Sequence, residues 1–286
     1  MSSPSPLRLD AHQHFWRYRA ADYPWIGAAE ADLRRDFLPQ DLRPLLDAAG
    51  MDGCIAVQAR AGEQETEALL EMAHRHPWIL GVVGWVDLCD PTLEQHLEQW
   101  RDAPRLKGFR HQIQDEPQPA HFMADPGFSR GLRHLQQQGY VYEVLIRCAD
   151  LDAATALCRR HDRHHLVLDH LGKPDIANGP AGWAEHLAPL AALPHVSCKL
   201  SGLLTEAGPD QRNAGALRPY IELALELFGA ERLMFGSDWP VCLLAGEYQG
   251  TCQLLQHTLG SLSPDEQQAI WGGTAQRVYH LEGNCP

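Results

Sequence analysis

The sequence predicts an α/β protein built as a single (β/α)8 TIM-type barrel. Short β-branched or apolar runs alternate with segments of helical period along the chain, and eight such runs are present. Strands that alternate with helices pair in parallel, which leaves a closed barrel or an open doubly wound sheet. Polar residues follow nearly every predicted strand, as in barrels whose catalytic side chains gather at one mouth. This placement favours the barrel, with its site at the C-terminal ends of the strands.

The eight predicted strands span residues 7–11, 53–59, 79–86, 106–110, 140–146, 166–169, 196–200 and 232–236. Helical spacing lies between them. Residues 93–100 follow Asp90-Pro91, a cap with a first-turn proline. Residues 128–135 repeat the apolar spacing and Gly139 ends that helix. Ser263 to Glu266 form a capping box before the last predicted helix.

Length and composition indicate one domain over residues 1–286. The chain has 286 residues, 44% of them hydrophobic and 21% charged, which is enough for a large core. A barrel of roughly 250 residues fits this length, and no change of composition marks a second domain. Residues 15–35 form a long aromatic segment. That segment is either a lid over the mouth or a packed surface excursion.

The charge balance and the cysteines exclude several classes of protein. With 24 Lys+Arg against 37 Asp+Glu, the net charge is −13, which argues against nucleic-acid partners and anionic membranes. No apolar run approaches the roughly 18 residues of a membrane span, and the first ten residues lack a secretory signal. The eight cysteines include no C-x-x-C pair, so we expect reduced thiols in a cytoplasmic protein and no zinc ribbon. Phosphate-binding glycine loops and the serine-hydrolase elbow are also absent from the sequence.

Two histidines at the end of the first predicted strand are the first candidate site residues. His12 and His14 are two positions apart, so both imidazoles project to the same face of a strand. Such a pair suits a transition metal or a proton-transfer site. The alternative is that one or both are buried structural histidines, because the chain contains 16 histidines.

Asp238 ends the eighth predicted strand and His170 follows the sixth. Gly236 shares the face of Asp238 and leaves room below its carboxylate. An aspartate there either binds a metal or takes a proton from water, or else it caps the next helix. His170 is a candidate site residue because it is predicted to lie at the same mouth of the barrel as His12 and His14. Its neighbour Asp169 faces the helices or orients an imidazole.

The remaining candidates lie on the fourth, fifth and seventh strands. Arg110 suits an oxyanion or a lactone carbonyl, or else pairs with an acid. His111 follows it and is a candidate substrate-binding residue. Tyr142 and Glu143 have opposite parity, and we predict that Tyr142 faces the lumen. Lys199 is a candidate cation over the substrate, with an ion-paired lysine as the alternative.

Five segments together resemble the amidohydrolase superfamily, more narrowly its amidohydrolase-2 branch of bacterial lactonases, and within it the L-fuconolactonases. These are residues 10–16, 106–116, 168–174, 198–203 and 233–242. The resemblance implies a (β/α)8 barrel that hydrolyses a sugar 1,4- or 1,5-lactone to the aldonic acid with an aspartate-activated water. The resemblance places Asp238, His170 and Arg110 in catalytic roles and Tyr142 against a small-molecule lactone. His111 and Lys199 are predicted as substrate-binding residues from their strand positions alone.

The resemblance also bears on the cofactor. It implies either no required metal or a single divalent metal such as zinc, held by His12, His14, His170 and Asp238. The lysine or glutamate that bridges two metals in other members of the superfamily has no counterpart here, and Thr274 stands where relatives often carry asparagine. Two other functions stay open: a metal-dependent decarboxylase of the same branch, and a non-catalytic sugar-binding barrel.

Overall fold

The computed structural model describes residues 7–281 and contains one parallel sheet of eight strands, ordered β1 to β8 around the barrel. The strands are β1 Leu9–Gln13, β2 Gly53–Val57, β3 Ile79–Gly84, β4 Leu106–His111, β5 Val141–Val144, β6 Leu166–Leu168, β7 Val196–Leu200 and β8 Leu233–Phe235. Their order and the intervening helices confirm the predicted (β/α)8 barrel. Five strands (β2, β3, β5, β6 and β8) end one or two residues earlier than predicted, whereas β1 and β4 extend further, to Gln13 and His111.

Helices of the described chain surround the sheet. They are α1 Pro39–Ala49, α2 Glu63–Arg75, α3 Leu93–Glu98, α4 Pro119–Ala124, α5 Pro126–Gln137, α6 Leu151–Arg160, α7 Pro180–Ala191, α8 Leu203–Glu206, α9 Ala214–Phe228, α10 Tyr248–Leu259, α11 Pro264–Gln268 and α12 Thr274–Val278. None of the helices within residues 7–281 is both long enough and apolar enough to cross a bilayer. The capping box at Ser263 is present. The predicted cap at Asp90 was wrong, because α3 begins after Thr92 and Asp90 instead accepts hydrogen bonds from Thr92.

The barrel closes between β1 and β8 through a short seam rather than a full ladder. The amide of Asp238 donates to the carbonyl of His12 at 2.8 Å, and the amide of His14 donates to the carbonyl of Trp239 at 2.7 Å. The buried carboxylate of Asp10 accepts from the amide of Ser237 at 2.9 Å, in place of a strand carbonyl. These three bonds fix the first-strand histidines relative to Asp238.

The lower half of the barrel interior is apolar. Side chains such as Leu9, Ile55, Val83 and Val167 fill it, and α12 packs beneath them. A packed lower half leaves only the upper half, at the C-terminal strand ends, open to chemistry.

The aromatic segment of residues 15–35 packs on the barrel and forms one wall of its mouth. Trp16 is buried and pairs with Phe37, while Trp25 donates its indole N–H to the carbonyl of Ala59 at 2.8 Å. Trp25 and Glu30 line the cavity at the mouth. Of the sequence features discussed above, residues 1–6 and Cys285 lie outside the described residues.

Candidate active site

A bulge in β1 turns both histidines of the first strand into the barrel. The register with β2 shifts between Asp10 and Gln13, so the strict alternation of β1 is interrupted there. Gln13 points outwards to the thiol of Cys54 at 3.2 Å. His12 packs against Gly236, where a Cβ atom would lie only 2.6 Å from the His12 Cβ. A side chain at position 236 would therefore displace His12. The space that the sequence predicts below Asp238 is thus the space that His12 occupies.

The carboxylate of Asp238 lies among three imidazoles. Its Oδ1 is 3.3 Å from His14 Nε2, 3.7 Å from His12 Nε2 and 4.0 Å from His170 Nε2. Asp238 has a left-handed backbone with φ 58°, a conformation that aspartate tolerates better than most residues. All four side chains are buried. The structure thus brings together four candidates from three distant parts of the chain.

Burial and charge set the ionisation of this cluster. Burial alone would raise the pKa of Asp238, but the imidazoles of His170, His14 and His12 outweigh it and hold the pKa below its ordinary value. Burial lowers the pKa of His170 to about 4, against the opposing effect of Asp238. Burial and the ammonium of Lys199 lower the pKa of His12. At neutral pH, an ionised carboxylate therefore faces neutral imidazoles at positions 12 and 170.

A left-handed turn after β6 carries His170. Four consecutive residues have positive φ: His170 at 53°, Leu171 at 55°, Gly172 at 68° and Lys173 at 51°. Each non-glycine residue in this region costs roughly 1–2 kcal/mol, and runs of such residues are rare. Gly202 packs against His170, where a Cβ would lie 2.8 Å from its Nδ1. The surrounding structure thus holds the imidazole in a conformation that the local sequence disfavours.

The hydrogen bonds of the histidines show what the cluster is suited to bind. His14 Nδ1 lies 2.8 Å from the carbonyl of Val57, which can only accept, so Nδ1 carries a proton. In the neutral ring the lone pair is then on Nε2, which lies 3.3 Å from Asp238 Oδ1. His12 Nε2 also presents a lone pair, because it lies 3.2 Å from Arg110 Nη1, which can only donate. Both lone pairs and the anionic Asp238 converge. This electron-rich set matches a cation or a proton.

The spacing of the set suits zinc. Two ligands bonded tetrahedrally at about 2.0–2.1 Å are separated by about 3.3–3.4 Å. The Asp238 oxygen lies 3.3 Å from His14 Nε2 and 3.7 Å from His12 Nε2, and His12, His14 and Asp238 form a possible metal-binding group. The residues present therefore fit a single divalent metal.

Arg110 faces the lumen, as predicted, but its terminal nitrogens are largely engaged within the protein. Nη1 donates to Asp169 at 3.0 Å and contacts His12, and Nη2 donates to the backbone carbonyl and side-chain oxygen of Gln58. The guanidinium is buried yet lines the cavity. Arg110 thus contributes positive charge and holds His12.

A buried charge layer lies directly beneath the histidines. Lys199 Nζ contacts Glu143 at 2.5 Å and Asp169 Oδ1 at 3.3 Å, and Tyr279 donates to the same Glu143 oxygen at 2.5 Å. Asp169 Oδ1 in turn lies 3.3 Å from His12 Nδ1. Lys199 is fully buried below the cavity, so its prediction as a substrate-binding residue was wrong, and the ion-paired alternative holds.

The prediction that Tyr142 of β5 faces the lumen was also wrong. Glu143 faces the lumen, whereas Tyr142 packs edge-to-face on Phe128 of α5 with ring centroids 5.7 Å apart. Tyr142 and Glu143 are both fully buried. A strand that is buried on both faces has no alternation of polar and apolar residues from which to predict which side chain faces the lumen. Tyr142 therefore lies in the helical layer and away from the mouth.

A cavity of about 250 Å³ opens above the cluster. His111 does not line it; that imidazole accepts from the Trp85 indole at 3.2 Å, bonds Glu116 at 2.6 Å and borders a neighbouring depression. Several polar residues of the wall are not among the predicted site residues: Gln112, Gln114, Asp115, Arg147, Lys173, Thr205 and Glu206. Gln112, Gln114 and Asp115 lie within residues 106–116 and Lys173 within residues 168–174, two of the segments that carry the family resemblance, so these four had a signal. Arg147, Thr205 and Glu206 had none.

Residues 9–281 match the sequence profile of the amidohydrolase family. The chain belongs to the amidohydrolase family. An L-fucono-1,5-lactonase from Burkholderia multivorans is 50% identical to this amidohydrolase, with 96% of each chain covered. An L-fucono-1,5-lactonase from Burkholderia ambifaria is 35% identical, again over 96% of each chain.

A solved structure adds information on the metal. The crystal structure of an amidohydrolase from Burkholderia multivorans with bound zinc has a TM-score of 0.93 to this amidohydrolase and 50% sequence identity, covering 96% of this chain and 100% of that one. The similarity extends over the whole barrel. It agrees with the fit of zinc to the histidine–aspartate cluster.

Proposed function

We propose that this amidohydrolase hydrolyses a neutral sugar lactone, L-fucono-1,5-lactone or a similar aldonolactone, to the aldonic acid. The observation that carries the proposal is the buried Asp238 carboxylate, held among His12, His14 and His170 at the floor of a sugar-sized cavity. The relatives that are 50% and 35% identical, both named L-fucono-1,5-lactonase, support the same reaction class.

In the proposed reaction, Asp238 takes a proton from water as the water oxygen bonds to the lactone carbonyl carbon. Its lowered pKa makes it a weak base in the resting enzyme. The proton therefore passes from water to Asp238 during the attack, because the water becomes more acidic as its oxygen bonds to the carbonyl carbon. When the ring carbon–oxygen bond breaks, Asp238 returns the proton to the leaving ring oxygen. The products are the aldonic acid and an unchanged enzyme.

The carbonyl oxygen becomes negative during the attack and needs a donor. His170 Nδ1 lies 2.9 Å from Ser201 Oγ, and a hydroxyl proton donated there leaves the imidazole proton on Nε2, which faces the cavity. We assign His170 Nε2 as the donor to this oxygen, with the positive charge of Arg110 close by. A divalent metal held by His12, His14 and Asp238 would supply Lewis acidity at the same place.

The wall of the cavity favours a neutral substrate over an anionic one. Arg147 lies 3.6 Å from Asp115, and Lys173 lies 3.4 Å from Glu206. Arg110, the third cation that lines the cavity, pairs with Asp169. Each of the three cations therefore has a carboxylate beside it. An aromatic acid, the substrate class of the decarboxylase alternative, would have to compete with those carboxylates.

The test is a panel of aldonolactones and aromatic acids, followed by acid release and carbon dioxide release, with zinc measured in the purified protein. We expect acid release from L-fucono-1,5-lactone or another aldonolactone, and about one zinc bound per chain after incubation with zinc. Carbon dioxide release from an aromatic acid without lactone hydrolysis would establish the decarboxylase instead. Lactone binding without turnover would establish the non-catalytic sugar-binding barrel.

Several expectations from the sequence stay predictions within this proposal. They are the single domain over residues 1–286, the cytoplasmic location and the lack of nucleic-acid partners. Cell fractionation and a nucleic-acid binding assay check the last two.

A further inference from the structure

The left-handed turn after β6 ends at Lys173, and the protein anchors each part of that turn. The amide of Lys173 donates to the carbonyl of His170 at 2.8 Å, which closes the turn. The carbonyl of Leu171 accepts from the Trp183 indole at 2.8 Å, and the Leu171 side chain is fully buried. Three non-glycine residues are thus kept in a disfavoured conformation. Such strain persists where the surrounding structure fixes it, often at functional sites.

The turn places the Lys173 side chain in the wall of the catalytic cavity. Lys173 lines the cavity together with His170 and Asp238. Its Nζ lies 3.4 Å from an oxygen of Glu206, the last residue of α8, and the two side chains are 18% and 24% exposed. Hence, the ammonium and the carboxylate lie side by side at the cavity wall, partly accessible to a ligand.

We propose that Lys173 and Glu206 recognise neighbouring hydroxyl groups of the substrate and so determine specificity for polyhydroxylated lactones. This inference rests on the proposed function and names two further residues of that site. An ammonium can only donate and a carboxylate can only accept. A vicinal diol offers both an acceptor and a donor at about the spacing of the pair. A carboxylate ligand, in contrast, would be repelled by Glu206.

A purely structural role explains the pair less well. Partly exposed ion pairs contribute little to stability. The chain nevertheless keeps strained residues at positions 170, 171 and 173 instead of a relaxed turn. The strain delivers the imidazole of His170 and the ammonium of Lys173 to the same cavity, three residues apart.

The experiment compares steady-state constants of Lys173→Met and the unmodified enzyme on the aldonolactone that the latter hydrolyses best. We expect KM to rise about 10- to 100-fold, as for loss of a hydrogen bond to a charged group, while kcat falls by less than threefold. Losing contacts that are equally strong in ground and transition states raises KM alone. Glu206→Gln keeps the shape of its side chain and is expected to raise KM in the same way.

The matched control is Lys107→Met, the same substitution at the opposite end of the barrel, where Nζ lies 3.2 Å from the carbonyl of His280. It is expected to leave both constants within twofold. A KM within threefold of the unmodified enzyme in both Lys173→Met and Glu206→Gln overturns the inference, as does a fall in kcat larger than the rise in KM. Absence of lactone hydrolysis by the unmodified enzyme would instead overturn the proposed function and the inference with it.

Discussion

The two halves of the barrel interior are built from the same eight strands but on opposite principles. Below, aliphatic side chains such as Ile55 and Val83 fill the space above α12. Above, Arg110, Lys199 and Asp169 replace them in equally complete burial. Burying a charge is costly unless it is paired, and the upper half meets this condition through mutual ion pairs. We conclude that the lower half stabilises the fold, and that the upper half gives up some of that stability in order to hold a polarised site.

The largest expected effect on stability is in the upper half. Lys199→Met should lower the free energy of unfolding by about 3–5 kcal/mol, because it leaves buried carboxylates without their shared cation. Urea unfolding at pH 7 measures this change. The rate of lactone hydrolysis should also fall. Lys199 contacts Asp169, which in turn contacts His12, so losing Lys199 disturbs the position of that catalytic-site histidine.

The double variant Lys199→Met/Glu143→Gln provides the matched test. It removes both charges of the closest pair, so it should be more stable than Lys199→Met alone. Lys107→Met, outside this charge layer, serves as the control. A loss below 1 kcal/mol in Lys199→Met would contradict the view that the upper half depends on pairing.

In the lower half, stability and activity should separate. Ile55→Ala is expected to cost about 2–4 kcal/mol through the cavity it leaves. Since Ile55 lies below the charge layer, kcat/KM should stay within twofold. Calorimetric melting together with the lactone assay checks both values. A tenfold fall in kcat/KM would show that the two halves are not separable in this way.

The contrast between the halves also explains which features the sequence could predict. Strand order, the barrel and the positions of His12, His14 and Asp238 follow from local patterns, because polar residues interrupt apolar runs at the strand ends. The parity of Tyr142 and Glu143 does not, since β5 is buried on both faces. The partner that makes a buried glutamate tolerable is Lys199, two strands away around the barrel.

The left-handed turn at residues 170–173 was not predictable either. Only one of its four residues is glycine, so the local sequence gives no signal for positive φ. The bond from Trp183 to Leu171 holds the turn from another element. Cavity residues such as Arg147 and Glu206 were not predicted for a similar reason, because the loop after β5 and the short helix α8 that carry them are placed by packing.

The smallest expected effect lies in the helical layer, outside both halves. Burial lowers the pKa of His161 to about 4 from an ordinary value of 6.5. The unfolded chain thus takes up a proton first as the pH falls. The stabilising contribution is complete above pH 6.5 and is lost progressively as the pH falls towards 4. We expect His161→Gln to flatten the fall in stability over this range by about 1–3 kcal/mol.

Urea unfolding of both proteins at several pH values between 4 and 7 measures that difference. His186, an exposed histidine on α7, offers the matched control as His186→Gln. Parallel pH curves for His161→Gln and the unmodified protein would show that His161 is not held in its neutral form.

We propose that the Asp238 carboxylate, which lies among three imidazoles, moves the proton in lactone hydrolysis. The most direct test is kcat of Asp238→Asn on the best aldonolactone, with the melting temperature measured on the same sample. We expect a fall of roughly 10²–10⁴-fold, as for loss of a general base, with a melting temperature that still shows a folded barrel. Turnover within tenfold of the unmodified enzyme would contradict it.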